Sequence, residues 1–160
     1  MKNLVTSLIL FAFLSLGIAS CDKSNDLTSI QENGDSNVTI TNSTGSKMKI
    51  TIGSTVFTAT LYDNPSVSAF KTRLPLNINM EDLNANEKFY YLSSNLPTSA
   101  TVGGKTQMGD LMLYGNNCLV LFYKGFNTSY TYTRLGKIDD VAGLVPALGS
   151  GNSTVKFENN

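Results

Sequence analysis

The side chains that could do chemistry in this 160-residue sequence are tyrosines, carboxylates, two cysteines and two arginines, because histidine is absent. Without histidine, Ser-His-Asp catalysis, Cys-His catalysis and histidine-metal sites are excluded. Two cysteines cannot form a zinc site of the four-cysteine or cysteine–histidine type. Twelve basic side chains balance twelve acidic ones, so nothing favours nucleic acid as a partner. We therefore expect no metal, no cofactor and no nucleic-acid partner.

Cys21 ends a segment that is typical of an export signal. Residues 1–3 are a short basic start, and the apolar run 4–16 is shorter than the ~20 residues that span a bilayer. Gly17-Ile18-Ala19-Ser20-Cys21 resembles a bacterial lipobox. The resemblance implies a lipoprotein signal peptide over 1–20 and lipidation of Cys21. The alternative is an ordinary signal peptide with an incidental cysteine.

A lipidated Cys21 would place the protein in the bacterial cell envelope. Acyl chains would anchor it to the outer membrane, at the periplasmic or the surface face. Cys118 would then be the one remaining thiol, which excludes a disulfide within the chain. We interpret Cys118 as a small buried side chain rather than a nucleophile, because no histidine can serve as its base.

Three further motifs are explained better by structure than by chemistry. Gly103-Gly104-Lys105-Thr106 imitates the end of a P-loop, but it lacks the first glycine of that motif and predicts a flexible loop. The segment 82–86 has the alternating oxygens of a calcium loop, but Glu87 stands where that loop needs glycine, which favours a turn. Asp139 and Asp140 are typical of a helix cap.

The elements that must position these side chains begin at residue 47. Residues 21–46 are mostly Ser, Thr, Asn, Asp and Gly, which predicts a flexible tether. Residues 47–158 alternate apolar and polar side chains in short runs, which predicts one β domain. The predicted strands are 48–52, 56–61, 76–81, 88–92, 110–114, 118–123, 130–135 and 153–158. The last arm of the 110–123 hairpin is apolar on both faces, so it should be central or lie beneath a helix.

Two short helices interrupt the predicted strands. Asn64 should cap the first helix, with Pro65 at its first position, and Pro75 should end it. Asp139 or Asp140 should cap the second, and Gly149 should end it. A proline within the second helix should kink or shorten it.

Four strings in this order resemble the cyclophilin-like domain, and in particular its small bacterial branch. They are Phe89-Tyr90-Tyr91, residues 109–115, 118–124 and 135–140. The resemblance covers roughly 47–158. It implies a mainly β fold, a closed barrel of about eight mostly antiparallel strands with two short helices.

Cyclophilins are peptidyl-prolyl isomerases whose catalytic strand reads Phe-His-Arg. The matching positions here hold Phe89, Tyr90 and Tyr91, and Tyr132 stands where a further histidine is expected. The resemblance therefore implies a fold without its catalytic arginine. Arg134 could approach the groove from another strand. Its structural interpretation is a surface arginine that stacks on Tyr132 or pairs with a carboxylate.

The leading hypothesis is a lipid-anchored module that binds an extended peptide or small ligand in an aromatic groove without catalysis. One alternative is a weak prolyl isomerase of the cell envelope. Another is a structural component of an envelope assembly. The candidate ligand-binding residues are Tyr91, Met112, Tyr114, Phe122, Tyr132 and Arg134.

Overall fold

A computed structural model describes residues 45–160 of the chain. The predicted signal peptide, Cys21 and all but the last two residues of the predicted tether lie outside the described residues. Of those two, Ser46 already packs on the domain, because its carbonyl accepts a hydrogen bond of 2.9 Å from the Leu61 N–H. In this described part, no helix has the length and apolar character needed to cross a membrane.

Nine strands and two short helices make up residues 45–160. In chain order they are β1 (Lys47–Ile52), β2 (Thr55–Leu61), α1 (Pro65–Lys71), β3 (Leu76–Leu83), β4 (Glu87–Tyr91), β5 (Thr101–Lys105), β6 (Asp110–Tyr114), β7 (Cys118–Phe122), β8 (Asn127–Ile138), α2 (Leu144–Leu148) and β9 (Ser153–Asn159).

Eight of the strands close into an antiparallel barrel. Their order is β2-β1-β9-β3-β4-β7-β6-β8, and β8 pairs with β2 to complete the circle. Closure gives the backbone groups of both end strands a partner, so the barrel has no free edge. The predicted fold class is confirmed.

The ninth strand, β5, corrects the prediction of a flexible loop around Gly103 and Gly104. It pairs along the first half of β8, with an irregularity between Val102 and Gly104. The second half of β8 pairs with β6 and β2. Two adjacent glycines carry no strand pattern of their own, and the pairing arises because β8 is twelve residues long and extends beyond the barrel.

Side chains of β6 and β7 are buried on both faces of the sheet. Leu111, Leu113, Leu119 and Leu121 belong to the large core inside the barrel. A second, smaller core lies on the outer face, and it consists of Met112, Cys118, Val120, Phe122 and Tyr132, with Phe89 and Phe126 packed against it. The predicted central position of β7 is confirmed, and aromatic side chains rather than a helix cover its outer face.

Helix α1 begins as predicted. The Asn64 side chain accepts a hydrogen bond of 3.0 Å from the Val67 N–H, and Pro65 is the first helical residue. The helix ends at Lys71 rather than at Pro75. The backbone N–H groups of residues 73 and 74 donate three residues back, and such tight turns end a short helix.

Helix α2 is capped differently from the prediction. The Asp139 carboxylate accepts hydrogen bonds from Thr60 at 2.5 Å and from Lys47 at 2.9 Å, so it joins strands instead of capping a helix. Asp140 accepts a hydrogen bond of 2.9 Å from the Ala142 N–H in the turn before the helix, and Gly143, at φ 81°, occupies the N-cap position. The predicted shortening is confirmed, because the helix has five residues with proline at its third position.

Candidate ligand-binding groove

One row of cross-strand partners forms the middle of a groove on the outer face of the barrel. Tyr91 on β4 pairs with Cys118 on β7. Tyr114 on β6 also pairs with Cys118, and on its other side it pairs with Tyr132 on β8. Opposed residues of neighbouring strands share a face of the sheet. The register therefore places all three predicted tyrosines in one row, with Cys118 between Tyr91 and Tyr114.

The groove has a volume of about 440 Å³. We call it the aromatic groove, because six of its twelve lining residues are phenylalanine or tyrosine. The lining residues are Leu83, Asn84, Asn86, Glu87, Phe89, Tyr91, Tyr114, Cys118, Val120, Phe126, Tyr130 and Tyr132.

Three tyrosines at the rim expose much of their rings. Tyr91, Tyr114 and Tyr130 are 60, 43 and 63 % exposed. Tyr114 packs edge-on against Tyr130, with ring centroids 5.9 Å apart, and lies 5.6 Å from Tyr132. Exposed aromatic rings held in fixed contact are suited to stacking on a ligand, because little side-chain freedom is left to lose on binding.

Two predicted site residues lie under the groove instead of lining it. Met112 and Phe122 are fully buried. Phe122 supports the walls, because its ring contacts both Phe126 and Tyr132 at centroid distances of 5.6 Å. On β5, any side chain at Gly103 would come within 3.0 Å of the Tyr132 ring, so the glycine allows Tyr132 to pack where it does.

Arg134, the sixth predicted residue, is not among the residues that line the groove. It is the β8 partner of Met112, and its Nη2 donates a hydrogen bond of 3.2 Å to the Gly103 carbonyl. Its guanidinium group therefore ties β5 to β8. This is neither the stacking on Tyr132 nor the carboxylate pairing that the sequence suggested.

The two tyrosines that the sequence resemblance matches to His and Arg of the cyclophilin motif face opposite sides of β4. Tyr91, at the arginine position, is in the aromatic groove. Tyr90, at the histidine position, packs against the core inside the barrel. Since successive strand residues point to opposite faces, only one of the two can meet a ligand in the groove.

Glu87 is a groove residue that the sequence analysis did not select. It is the first residue of β4, is 8 % exposed, and shares a face with Phe89 and Tyr91. Burial raises the pKa of its carboxyl above the usual 4.5. Strand alternation from Tyr91 would have identified Glu87 and Phe89, and alternation from Tyr132 would have identified Tyr130, whereas Phe126 carries no such signal.

Two other groups in the groove titrate at higher pH than usual. Burial, with a contribution from the nearby Glu87 carboxylate, raises the pKa of the Cys118 thiol to about 11. The same two causes raise the pKa of Tyr132 above 10. Cys118 is thus protonated at neutral pH, which supports its interpretation as an inert buried side chain.

The neighbour of Glu87, Lys88, lies on the other face of β4 in a different environment. Its ammonium group is fully buried and donates to Asp82 at 2.5 Å and to the carbonyls of Gly149 (3.3 Å) and Gly151. Tyr123 donates to the same Asp82 oxygen at 2.8 Å. We call these five residues the Lys88 cluster.

Asp82 therefore has the Lys88 ammonium as its partner in place of a metal ion. Hydrogen bonds from Lys88 and then Tyr123 hold the pKa of its carboxyl below the usual 3.8. The predicted turn is present, with Asn84 and Ala85 at φ 54° and 50°. Across residues 45–160, no group of three or more Cys, Asp or Glu side chains is arranged to hold a metal ion.

Comparison with known proteins gives one match. The family model described as "Cyclophilin-like family" matches residues 50–158, which is more than half of the chain. The matched segment runs from β1 to β9 and includes every strand that borders the aromatic groove. No curated protein and no solved structure matches the chain.

Proposed function

We propose that this chain, which belongs to the cyclophilin-like family, binds an extended peptide or a small ligand in its aromatic groove without catalysing a reaction there. The observation that carries the proposal is Tyr91. It lies in the groove, at the position that the sequence resemblance matches to the cyclophilin catalytic arginine, and no arginine is among the lining residues. A cyclophilin-like groove that keeps its aromatic walls and lacks this cation can hold a peptide but cannot polarise its prolyl amide.

The shape of the groove supports an extended ligand. Its walls come from β4 on one side and from β6 and β8 on the other, and the turn between β3 and β4 closes one end. A volume of about 440 Å³ lies within the range of ligand sites and is sufficient for a few residues of an extended chain.

Peptide titration followed by NMR tests this function. The full chain is titrated with a set of Xaa-Pro peptides, together with its Tyr91→Ala and Tyr62→Ala variants. Tyr62 is the matched control, because it is 43 % exposed but does not line the groove. We expect Tyr91→Ala to weaken binding by about tenfold and Tyr62→Ala to leave it unchanged. Equal affinities for all three proteins would contradict a peptide site at the groove.

The same peptides, with Arg134→Ala as a further variant, distinguish the two alternative functions. Exchange cross-peaks between cis and trans peptide that appear with the natural chain and vanish with Arg134→Ala would establish a prolyl isomerase. Peptides that neither bind nor exchange would favour a structural role in an envelope assembly.

We also propose that the domain is lipid-anchored through Cys21. The lipobox-like string 17–21 supports this anchor. Mass spectrometry of the mature N-terminus should find an acylated Cys21. Cys21→Ser should release the protein from the membrane fraction, while the control Cys118→Ser should not. An unmodified Cys21 would indicate the ordinary export signal instead.

A further inference from the structure

We infer that the aromatic groove recognises a cationic nitrogen group, a guanidinium or ammonium at the end of a basic peptide side chain, through Glu87. The inference rests on the proposed function, because it names the ligand chemistry of the same groove. It is carried by an unpaired carboxylate, an unpaired amide oxygen and the aromatic walls.

Glu87 is a buried acid without a partner among residues 45–160. Among the hydrogen bonds and ion pairs of residues 45–160, none involves its side chain, although only 8 % of the residue is exposed. None of the twelve residues that line the groove is a lysine or an arginine. Burying an unpaired carboxylate costs free energy. A cation from a ligand would therefore give Glu87 the partner that no lining residue provides.

A second unpaired acceptor lies next to Glu87. The Asn86 Oδ1 atom is buried and has no hydrogen-bond partner, and Asn86 also lines the groove. Buried polar atoms in proteins nearly always have a partner. Asn86 and Glu87 are consecutive in the chain and both line the groove, and guanidinium and ammonium groups carry several N–H donors that can serve more than one acceptor.

The aromatic walls fit the same ligand. Phe89 and Tyr91 form an edge-on pair, with ring centroids 5.8 Å apart, on the strand that begins with Glu87. Phe126 and Tyr132 line the groove with them. Aromatic faces attract cations, and the attraction strengthens when water is excluded. The aliphatic part of a basic side chain would pack against these rings, while its charged end reaches Glu87.

Two capped pentapeptides test the inference, one with a central arginine and one with citrulline, which is nearly isosteric and uncharged. Calorimetry measures both against the full natural chain, Glu87→Gln and Glu81→Gln. Glu81 is the matched control, because it is exposed on β3 and does not line the groove. We expect the natural chain and the control to prefer arginine by about ten- to hundredfold, and Glu87→Gln to bind both peptides alike.

The pH dependence gives an independent readout. Glu87 binds a cation only when deprotonated, so affinity for the arginine peptide should fall as the pH drops through its raised pKa. The other titratable groups that line the groove are tyrosines and Cys118, and those nearest to Glu87 titrate above 10. Carbon-detected NMR of Glu87 should show its pKa falling when the arginine peptide binds.

Each outcome decides between the two proposals. If citrulline binds as tightly as arginine while Tyr91→Ala weakens both, the groove binds peptides and the cation inference is wrong. If neither pentapeptide binds but the Xaa-Pro peptides do, the cation inference is wrong and the proposed function stands; if none of these peptides binds, both fail. If methylguanidinium alone binds as tightly as the arginine peptide, the site takes a free cation and the peptide source is wrong.

Discussion

Glu87 and Lys88 are consecutive residues of one strand, yet the charge of Lys88 is paired and the charge of Glu87 is unpaired among the described residues. Lys88 is fully buried, and its ammonium has an aspartate and two carbonyls as partners. Glu87 is almost as buried and has no partner among the described residues. The charged groups of the Lys88 cluster are therefore hydrogen-bonded to one another, as is typical of structural sites. The Glu87 carboxylate is unpaired among the described residues, as is typical of binding sites.

The two acids of these regions respond to pH in opposite directions. The pKa of Asp82 is lowered, so its contribution to stability is present above the usual value of 3.8 and is lost as the pH falls through the lowered pKa. The pKa of Glu87 is raised, so its contribution is present below the usual value of 4.5 and is lost as the pH rises through the raised pKa. At neutral pH the ionised Glu87 carboxylate therefore lowers the stability of the fold, whereas the ionised Asp82 carboxylate raises it.

Removal of the acid from the Lys88 cluster should have the largest effect. Asp82→Ala leaves the buried Lys88 ammonium without its counter-ion, so the free energy of unfolding should fall by about 3–5 kcal/mol in a urea titration. Glu81→Ala, at the exposed neighbouring position, should change it by less than about 0.5 kcal/mol. The double change Asp82→Ala with Lys88→Met should cost less than Asp82→Ala alone. Equal losses for Asp82→Ala and Glu81→Ala would mean that the cluster is not structural.

A smaller loss is expected when only a neutral donor is removed from the cluster. Tyr123→Phe deletes the hydroxyl that donates to Asp82, and the free energy of unfolding should fall by about 1–1.5 kcal/mol. The pKa of Tyr123 is raised to about 12, chiefly by burial and by this hydrogen bond. Tyr90→Phe is the control, because Tyr90 packs on the barrel core. A larger loss for the control would contradict the special role of Tyr123.

The turn that precedes Glu87 and Lys88 should tolerate a glycine at Ala85, and the pairing of the two charges should stay the same. Ala85 has φ 50°, a conformation that costs a residue with a Cβ about 1–2 kcal/mol. Ala85→Gly removes this strain but adds chain entropy to the unfolded state, so a net gain of about 0.5 kcal/mol is expected in thermal unfolding. A loss of stability would show that the Ala85 methyl group makes contacts that outweigh the strain.

Neutralising the groove acid should have the smallest effect on stability, and with the opposite sign. Glu87→Gln removes a carboxyl whose pKa is raised, so the variant should be slightly more stable than the natural chain at pH 7. The gain should vanish below the usual value of 4.5, where both proteins carry a neutral side chain. Urea titrations at both pH values measure this. A loss at pH 7 would mean that Glu87 has a stabilising partner, and the contrast with Lys88 would disappear.

The strand patterns gave correct predictions for the barrel. Alternating or continuous apolar runs identified all eight barrel strands, and Asn64-Pro65 located the start of α1. The prediction failed for β5, whose two glycines have no side-chain pattern, and for the cap of α2, where Asp139 has partners on other strands. Both errors arise from pairing with residues far away in the chain, and local propensity does not report such pairing.

The sequence likewise predicted some residues of the candidate site correctly and missed or misplaced others. Tyr91, Tyr114 and Tyr132 were predicted from aromatic content and from the family resemblance, and the structure brings them together through strand register. Met112 and Phe122 lie under the groove and Arg134 binds β5, because these positions depend on which strand covers which face. Glu87 was missed since a single acid at the start of a strand has no motif.

The sequence by itself determined the barrel strands and, in outline, the helices, because periodicity and residue identity are local properties. Tertiary structure alone decided that Lys88 meets Asp82 and that Glu87 meets no partner in the part of the chain that the structure describes. The two side chains are adjacent in sequence, but they point to opposite faces of β4. Each environment is built from strands and turns that are distant in the chain, so packing sets the difference between a structural charge and a binding charge.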